Sequence, residues 1–238
     1  MIEWAKWSST CLHEYAQAYV VEKYGEWVDG VFERNPLGSH HDVFGTRFDA
    51  LGNPTSWLSE IVIETHLITR SKKVFSDIEV LFNDGTNQLT YTSSSEGIAS
   101  SAVTAGSSSR VTASLAYSSS TKAISSQDAL DALKLSVGLS TSAGTKTAFD
   151  FMSADFNQDG KVSSQDALSI LKYSVGLPTS EQAKWVFVDT NGDYSDVSKS
   201  NTSYTEGVSI ADLSADTSVS LTGILIGDVN DSYSGLIA

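Results

Sequence analysis

Cysteine is almost absent from this sequence, because Cys11 is the only one among 238 residues. An intramolecular disulfide is therefore impossible, and a small scaffold held together by disulfides is excluded. Bound metal ions can replace disulfides in proteins outside the cell, so the lack of cystine does not assign the chain to the cytosol. The stability of the chain must come from sources other than disulfides.

Basic residues are also scarce. The chain has 15 Lys and Arg residues against 29 Asp and Glu residues, which gives a formal net charge of −14 and an isoelectric point near 4.5. Such a surface repels phosphate backbones and anionic lipid, so nucleic acid and membrane surfaces are not expected as partners. An acidic surface favours the binding of cations.

Long apolar segments are missing. No stretch approaches the ~18 uninterrupted apolar residues of a membrane span, so membrane insertion is not expected. The first fifteen residues contain Glu3 and no continuous apolar run of ~7–15 residues, so no signal peptide is recognised at the start. We expect either an internal piece of a longer secreted protein or export by a signal placed elsewhere.

The first third of the chain is rich in aromatic residues and predicts an α+β domain. Residues 9–33 carry apolar side chains mostly three and four positions apart, which predicts an amphipathic helix, although their Val- and Tyr-rich pieces could equally be strands. Residues 41–57 contain a Gly-Asn-Pro turn and predict a hairpin. Residues 60–69 and 77–92 predict strands, the latter folded around an Asn-Asp-Gly turn.

Serine and small residues dominate the middle of the chain. Residues 93–117 have the composition of a linker, although 110–117 alternate well enough to form a strand. The shift in composition predicts two domains, an N-terminal α+β domain at 1–117 and a second domain at 118–238.

The second domain is built around an internal repeat. Residues 117–142 return 38 positions later as residues 155–180, and from the shared SSQDAL onward the copies agree at 14 of 18 positions. Each copy predicts one helix that stops at a glycine, and the two helices are expected to pack as a pair. The residues expected on the apolar face are Ala129, Leu130, Leu133 and Val137 and their counterparts Ala167, Leu168, Leu171 and Val175.

Residues 155–166, DFNQDGKVSSQD, place oxygen donors at the spacing of a twelve-residue calcium loop. Calcium takes roughly six to eight oxygen ligands, and such a loop wraps them around one point. Gly160, at the sixth position, permits the sharp reversal that turns the later donors inward. An acidic loop that caps the next helix without metal is the alternative. The predicted ligands are the side chains of Asp155, Asn157, Asp159, Ser163 and Asp166 and the backbone carbonyl of Lys161.

This loop, followed by ALSILKYSVGL, resembles a type I dockerin repeat, the calcium loop plus helix that occurs in duplicate in cellulosome subunits. The order of the two repeats, a strand segment and a closing GDVN also resembles dockerin-like modules of large secreted bacterial proteins, including type I secretion substrates and adhesins. The resemblance covers about residues 121–235. It implies a helix pair with a calcium loop and added strands, Ca²⁺ as the cofactor, and a secreted or cell-surface location.

The first repeat lacks the acidic half of its loop, although Asp128, the partner of Asp166, is present. The closing segment 227–235, GDVNDSYSG, has oxygen donors at positions one, three and five but no helix after it. This predicts that the C-terminal segment folds back beside the first helix and rebuilds a second calcium site. An exposed turn at 227–235 and a helix-dipole role for Asp128 are the alternatives. The predicted ligands of this split site are Asp228, Asn230, Ser232, Ser125 and Asp128.

Other constellations carry weaker predictions. Asp189, Asn191, Asp193 and Asp196 have the early spacing of a calcium loop but no glycine at the sixth place, and a plain turn is favoured. His13-Glu14 lacks the second histidine of a zinc-protease signature, because Gln17 stands at that place. His40, His41 and Asp42 are expected in a solvated turn, and Cys11 as buried filler. No catalytic set is recognised.

The sequence therefore predicts a calcium-stabilised extracellular module that is not an enzyme, cut from a secreted or surface-attached, adhesin-like bacterial protein. One alternative is a true docking module that binds a cohesin-like partner. The dockerin resemblance places that recognition on Ser126, Gln127, Lys134, Ser164, Gln165 and Lys172. Another alternative is a fragment of a secreted hydrolase with its active site in residues 1–92.

Overall fold

The structure, a computed structural model, describes residues 60–118 and 122–235 and, before them, four short strands between residues 25 and 56. The chain divides into two compact units, Met1–Ser59 and Glu60–Ala238. In the first unit, β1 pairs antiparallel with β2, and β3 pairs antiparallel with β4. These strands are β1 (Gly25–Val28), β2 (Val31–Arg34), β3 (Thr46–Phe48) and β4 (Pro54–Ser56).

The prediction of one helix over residues 9–33 is wrong for its second half. Gly25–Val28 and Val31–Arg34 form a β-hairpin, and residues 9–24 lie outside the described part of the chain. Aromatic and β-branched residues favour extended backbone, and here that preference prevails over the helical spacing. The predicted hairpin within 41–57 is confirmed by the pairing of β3 with β4.

The described residues of the second unit form two four-stranded sheets. In the first sheet the strand order is β10-β12-β5-β8, and β12 runs parallel to β5. Its strands are β5 (Glu60–Thr69), β8 (Ile98–Thr104), β10 (Trp185–Asp189) and β12 (Thr217–Leu225). The second sheet, in the order β11-β9-β6-β7, is antiparallel throughout. Its strands are β6 (Glu79–Asn83), β7 (Gln88–Thr92), β9 (Ser109–Ser114) and β11 (Val208–Ile210).

The strands predicted at 60–69, 77–92 and 110–117 are confirmed by β5, by β6 with β7, and by β9. In β5, side chains alternate between the core and the outside, as a sheet with one covered face requires. Side chains from both sheets join one buried core.

The contact boundary lies between Ser59 and Glu60 and does not coincide with the predicted boundary near residue 118. Both sheets combine strands from before and after residue 118. The serine-rich segment contributes β8 and β9, in which buried Ala99, Ser101 and Val103 alternate with exposed small residues. A segment of small side chains can therefore form strands of a sheet even where its composition alone indicates a linker.

Three helices complete the second unit among its described residues, and the α+β class is confirmed in this coarse form. They are α1 (Ser126–Ser136), α2 (Ala148–Ala154) and α3 (Ser164–Ser174). The structure confirms that α1 and α3 pack against each other. Gly138 and Gly176 follow their last turns in left-handed conformation (φ +84° and +74°), as the sequence predicts.

The face on which the two helices pack differs from the prediction. Ala129 and Ala167 are buried as expected, but the large residues predicted beside them are exposed. The helices bury small side chains, which allow a close approach, together with Leu135 and Ile170. Two matching rows of apolar side chains remain on the surface, between 41% and 64% exposed. They are Leu130, Leu133, Val137 and Leu139 in the first copy and Leu168, Leu171, Val175 and Leu177 in the second.

Candidate metal sites

The intact loop, residues 155–166, connects α2 directly to α3. Asp155 is the C-terminal cap of α2, and Ser163 is the N-terminal cap of α3. Gly160 adopts φ +91°, a conformation that L side chains rarely adopt, and this turns the second half of the loop back toward the first. Each predicted donor of the loop therefore lies within one continuous turn between two helices.

Asp155, at the first position, is held by the backbone of its own loop. Its Oδ1 accepts a hydrogen bond from the Asp159 amide (3.2 Å), and its Oδ2 accepts one from the Gly160 amide (3.0 Å). The hydroxyl of Thr202 also donates to Oδ2. Asp155 is 5% exposed, so a carboxylate is fixed in the interior at the start of the loop.

Asp166, at the twelfth position, uses its two oxygens differently. Oδ2 accepts hydrogen bonds from the Ser163 amide (2.8 Å) and hydroxyl (2.9 Å), which completes a capping box at the start of α3. Oδ1 lies toward the loop and accepts a hydrogen bond from the Asn157 amide (3.2 Å). Helix capping therefore accounts for one oxygen only, and the other closes the loop.

The electrostatics of the intact loop favour a bound cation. Burial raises the pKa of the Asp155 carboxyl above its usual range, and the negative charges of Asp166 and Asp159 act in the same direction, while hydrogen bonds from Thr202 and Gly160 oppose them. The ammonium of Lys161 lies 3.7 Å from Asp159, which is the more exposed member of the set. A cation inside the loop would relieve the repulsion between the carboxylates.

Sequence reasoning missed the segment that lies against this loop. The Val162 amide donates to the Lys199 carbonyl (2.7 Å), and the Thr202 amide donates to the Gly160 carbonyl (3.0 Å). Thr202 lies 47 residues after Asp155 in an irregular segment, so no spacing pattern could have found it.

The C-terminal segment lies beside the start of α1, where the sequence predicts a split site. We call this the split loop, residues 228–233 together with 123–128. The Asn230 amide donates to Asp128 Oδ1 (3.1 Å) across 102 residues of sequence. Asp128 Oδ2 accepts from the Ser125 amide (2.9 Å) and hydroxyl (2.8 Å). The structure therefore brings together the C-terminal segment and the capping box of α1.

Asp228 is placed in the split loop as Asp155 is placed in the intact loop. Its Oδ1 accepts a hydrogen bond from the Ser232 amide (2.9 Å), and its Oδ2 accepts one from the Tyr233 amide (2.9 Å). The Ser232 hydroxyl also lies 3.3 Å from Asp228 Oδ1. The five residues predicted for the split site thus lie in two adjoining segments that are joined by hydrogen bonds.

One further oxygen belongs to this place and was missed. The Ala123 carbonyl accepts a hydrogen bond from the Ser232 hydroxyl (2.8 Å). Aligning the two repeats puts Ala123 opposite Lys161, whose carbonyl is a predicted ligand, so the repeat itself contained the signal.

The split loop also contains an oxygen without a partner. Asn230 Oδ1 is buried and makes no hydrogen bond, one of four such side-chain atoms among the described residues. A buried polar atom left unsatisfied costs about 1–3 kcal/mol. No described group of the chain therefore supplies this oxygen with a hydrogen bond.

The two carboxylates of the split loop are buried and close enough to repel each other. Asp128 and Asp228 are 0% and 2% exposed. Burial raises the pKa of Asp228 to about 6, with a further rise from the charge of Asp128 and an opposing effect of Arg70. Burial likewise raises the pKa of Asp128, against hydrogen bonds from Ser125 and the backbone of Asn230.

Arg70, just after β5, fixes the split loop to the first sheet. Its side chain is 8% exposed, and its guanidinium donates to α2 and to carbonyls of the C-terminal segment. The contacted groups are Asp150 Oδ1 (3.1 Å), Ser153 Oγ (3.1 Å), the carbonyls of Asp228 (3.0 Å) and Val229 (2.9 Å), and Asp231 Oδ1 (3.5 Å). At the other side, the Tyr233 ring packs edge-on against Trp185, with 4.8 Å between ring centroids.

The weaker candidates are accounted for by local turns or lie outside the described residues. Asp189 Oδ1 accepts from the Asn191 amide (2.9 Å), and Asp193 Oδ1 accepts from the Ser195 amide (3.0 Å). These are two short side-chain-to-backbone turns, and Asp196 is exposed beside them. The candidates outside the described residues are Cys11, His13, Glu14, His40, His41 and Asp42.

Among residues 60–118 and 122–235, no group of three or more carboxylate, imidazole or thiol side chains is placed to hold a metal ion, and this includes Asp155, Asp159 and Asp166 of the intact loop. Amide, hydroxyl and carbonyl oxygens, which also serve as calcium ligands in loops of this kind, are outside that count. In the same residues, no helix is long and apolar enough to cross a membrane. No protein-family model, curated protein or solved structure matches the chain.

Proposed function

We propose that this chain is a calcium-binding, calcium-stabilised extracellular module without catalytic activity, part of a larger secreted or surface-attached bacterial protein of the adhesin type. One observation carries the proposal. The intact loop gathers Asp155 and Asp166, two buried carboxylates, at the two ends of a twelve-residue turn. Its dockerin-like sequence and the paired helices α1 and α3 support the same assignment.

The donor set fits calcium better than a transition metal. Calcium prefers oxygen ligands from carboxylates, amides, hydroxyls and backbone carbonyls, whereas zinc sites use mainly imidazole and thiolate. Asp155, Asn157, Asp159, Ser163 and Asp166 supply side-chain oxygens, and Lys161 supplies a carbonyl. No histidine or cysteine stands in the loop.

The proposed role follows from what the loop connects. Asp155 caps the end of α2, Asp166 lies in the first turn of α3, and Thr202 ties the loop to the segment that leads into β11. A bound calcium ion supplies positive charge that offsets the carboxylate repulsion and favours the folded loop. The module would then be loose at the low calcium concentration inside a cell and would tighten outside it.

Asp159→Ala tests this proposal with little structural disturbance, because Asp159 is exposed. We expect isothermal titration calorimetry to show that the intact loop binds calcium at least roughly tenfold more weakly in this variant, since one of its charged ligands is lost. Asp193→Ala is the matched control, because Asp193 is also exposed and closes a similar turn. Equal calcium binding by Asp159→Ala and the wild type would contradict the proposal.

A second candidate function, docking to a cohesin-like partner, is favoured by one observation. The two rows of exposed apolar side chains on α1 and α3 repeat each other almost residue for residue. Ser126, Gln127, Ser164 and Gln165 are exposed near the starts of the same helices. Paired surfaces of this kind suit a protein partner, because exposed apolar patches on monomers are usually small.

The docking candidate is tested by the double substitution Leu133→Lys and Leu171→Lys, which places charge in both rows. We expect a cohesin-like β-sandwich domain to co-purify with the wild type only in calcium and to be lost with the double variant. The melting temperature of the variant should stay within a few degrees of the wild type, because both side chains are exposed. Unchanged co-purification by the variant, or none by the wild type, would contradict docking through these rows.

A further inference from the structure

We infer that a second divalent cation binds in the split loop, between Asp128 and Asp228, and that it fastens the end of the chain to the start of α1. This goes beyond the proposed function, which depends on the intact loop alone. The site has no continuous calcium-loop sequence, because its two halves come from opposite ends of the repeat region.

The two loops match each other in their hydrogen bonds. In each loop, the first aspartate accepts hydrogen bonds from the amides at positions five and six. In each loop, the last aspartate accepts one from the amide of the asparagine at position three. The matching donor-acceptor distances are 3.2, 3.0 and 3.2 Å in the intact loop and 2.9, 2.9 and 3.1 Å in the split loop.

The match extends to the backbone. The fourth position is left-handed in both loops, with φ +55° at Gln158 and +57° at Asp231. Neither residue is glycine, and a left-handed conformation at such residues is uncommon. An exposed turn would have no reason to reproduce this conformation together with the hydrogen bonds.

The two loops differ at the side-chain oxygen of the asparagine at position three. In the intact loop, the corresponding Asn157 Oδ1 accepts a hydrogen bond from the Asp159 amide (3.0 Å). In the split loop, the Ser232 amide donates to Asp228, and Asn230 Oδ1 is buried without a partner. A cation among these oxygens would satisfy it.

The charges of the split loop leave room for one divalent cation. Asp231 pairs with Arg70 (3.5 Å), and the two buried carboxylates that remain, Asp128 and Asp228, match the charge of that cation. Capping of α1 uses only Oδ2 of Asp128, so Oδ1 is available to face the ion. Ser232 stands where the intact loop has Asp159, so the ligand set of the split loop has one carboxylate fewer. Since affinity rises with the number of charged ligands, the split loop should fill after the intact loop.

Calorimetric titration with calcium chloride tests the inference on the whole chain. We expect two ions per chain for the wild type and one ion each for Asp155→Ala and Asp228→Ala, with the weaker phase missing in Asp228→Ala. One ion for the wild type, unchanged in Asp228→Ala, would overturn the inference and leave the intact loop standing. One ion that is kept in Asp155→Ala and lost in Asp228→Ala would support the split site and remove the proposed function.

Asn230→Ala separates the loss of a calcium ligand from the loss of folding. No hydrogen bond to its Oδ1 is lost, so we expect the melting temperature in chelator to be unchanged or higher. Calcium affinity of the weaker phase should fall roughly tenfold or more, as expected for loss of a ligand. Asp131→Ala, which removes a buried carboxylate of α1 bonded to Ser142 and Lys134, is the control that should keep both ions. Unchanged weaker-phase affinity in Asn230→Ala would count against the site.

Discussion

The intact loop and the split loop place the same kinds of oxygen at corresponding points, but the chain reaches those points by different routes. In the intact loop the chain runs without interruption from Asp155 to Asp166. In the split loop it enters at Asp228, leaves after Tyr233, and re-enters at Ala123. The same pattern of hydrogen bonds therefore forms whether or not the chain runs without interruption through the loop.

The two loops differ in the residue at their sixth position. Gly160 takes φ +91° because the chain must reverse there to bring the later donors back. Tyr233 stands at the corresponding place in the split loop and is not among the residues with positive φ. The chain does not reverse at Tyr233, so a large residue can stand there and pack its ring on Trp185. Because the chain is not continuous through the split loop, its sixth position needs no glycine, and Tyr233 makes a core contact there instead.

Removal of calcium should have the largest effect. A site at about 100 times its dissociation constant contributes about 2.7 kcal/mol, so two sites contribute about 5 kcal/mol. For a chain of this size 1 kcal/mol corresponds to roughly 2–4 °C, so chelation should lower the melting temperature by about 10–20 °C. Differential scanning calorimetry in calcium, in magnesium and in chelator measures this. Equal melting in calcium and chelator would mean that neither loop binds the ion.

Arg70→Met should separate the two loops. The substitution leaves Asp150 and the carbonyls of Asp228 and Val229 without their buried partner, which costs about 3–5 kcal/mol. We expect the weaker calcium phase to be lost and the tighter phase to persist, because the hydrogen bonds and ion pairs of Arg70 reach α2 and the split loop but not residues 155–166. Arg110→Met is the control, since Arg110 is exposed on β9. Equal weakening of both phases would show that the loops are coupled through the fold.

The sequence predicts the intact loop, its helix, its glycine and the strands β5, β6, β7 and β9, because each depends on neighbours within a few positions. It also predicts that the C-terminal segment meets the first repeat, because the two fragments complement each other. The sequence does not indicate the parallel pairing of β12 with β5, or the position of Arg70 between α2 and the split loop. The strand pairing and the bonds from Arg70 to the split loop join residues about 150 positions apart, and the bonds from Arg70 to α2 join residues about 80 positions apart.

The sequence also predicts the wrong buried faces for α1 and α3. Apolar spacing alone places Leu130 and Leu133 in the core, yet they are 46% and 43% exposed. Asp131 and Asp128, which the same pattern assigns to the surface, are fully buried because Ser142 and Ser125 supply hydrogen bonds. Apolar spacing contains no information about such hydrogen-bond partners. It therefore predicts a buried helix face that is displaced by about one residue from the observed one.

The pH dependence of stability should reverse sign with calcium. The pKa of Asp228 rises from 3.8 to about 6, so between these values the folded chain holds a proton that the unfolded chain has released. Without calcium, stability should therefore fall as pH rises from about 4 to about 6, by roughly 3 kcal/mol for this group, and should level off above pH 6. The raised pKa values of Asp128 and Asp155 act in the same direction.

With calcium the ionised carboxylates are the binding form, so stability should rise over the same pH range. Urea unfolding at pH 4, 5, 6 and 7, in chelator and in saturating calcium, measures both slopes. Slopes of the same sign in the two conditions would contradict this reading of the buried carboxylates.

Gly160→Ala should have the smallest effect on stability and the most selective effect on binding. A Cβ at Gly160 meets no heavy atom within 4 Å, so the cost is that of the left-handed backbone, about 1–2 kcal/mol. Gly138→Ala is the matched control, because Gly138 also takes positive φ (+84°) in open space, at the end of α1. In chelator both variants should lose similar stability. In calcium only Gly160→Ala should lose affinity, and only in the tighter phase, because the split loop has no reversal at its sixth position. A weakened split phase in Gly160→Ala would show that the two loops are not independent.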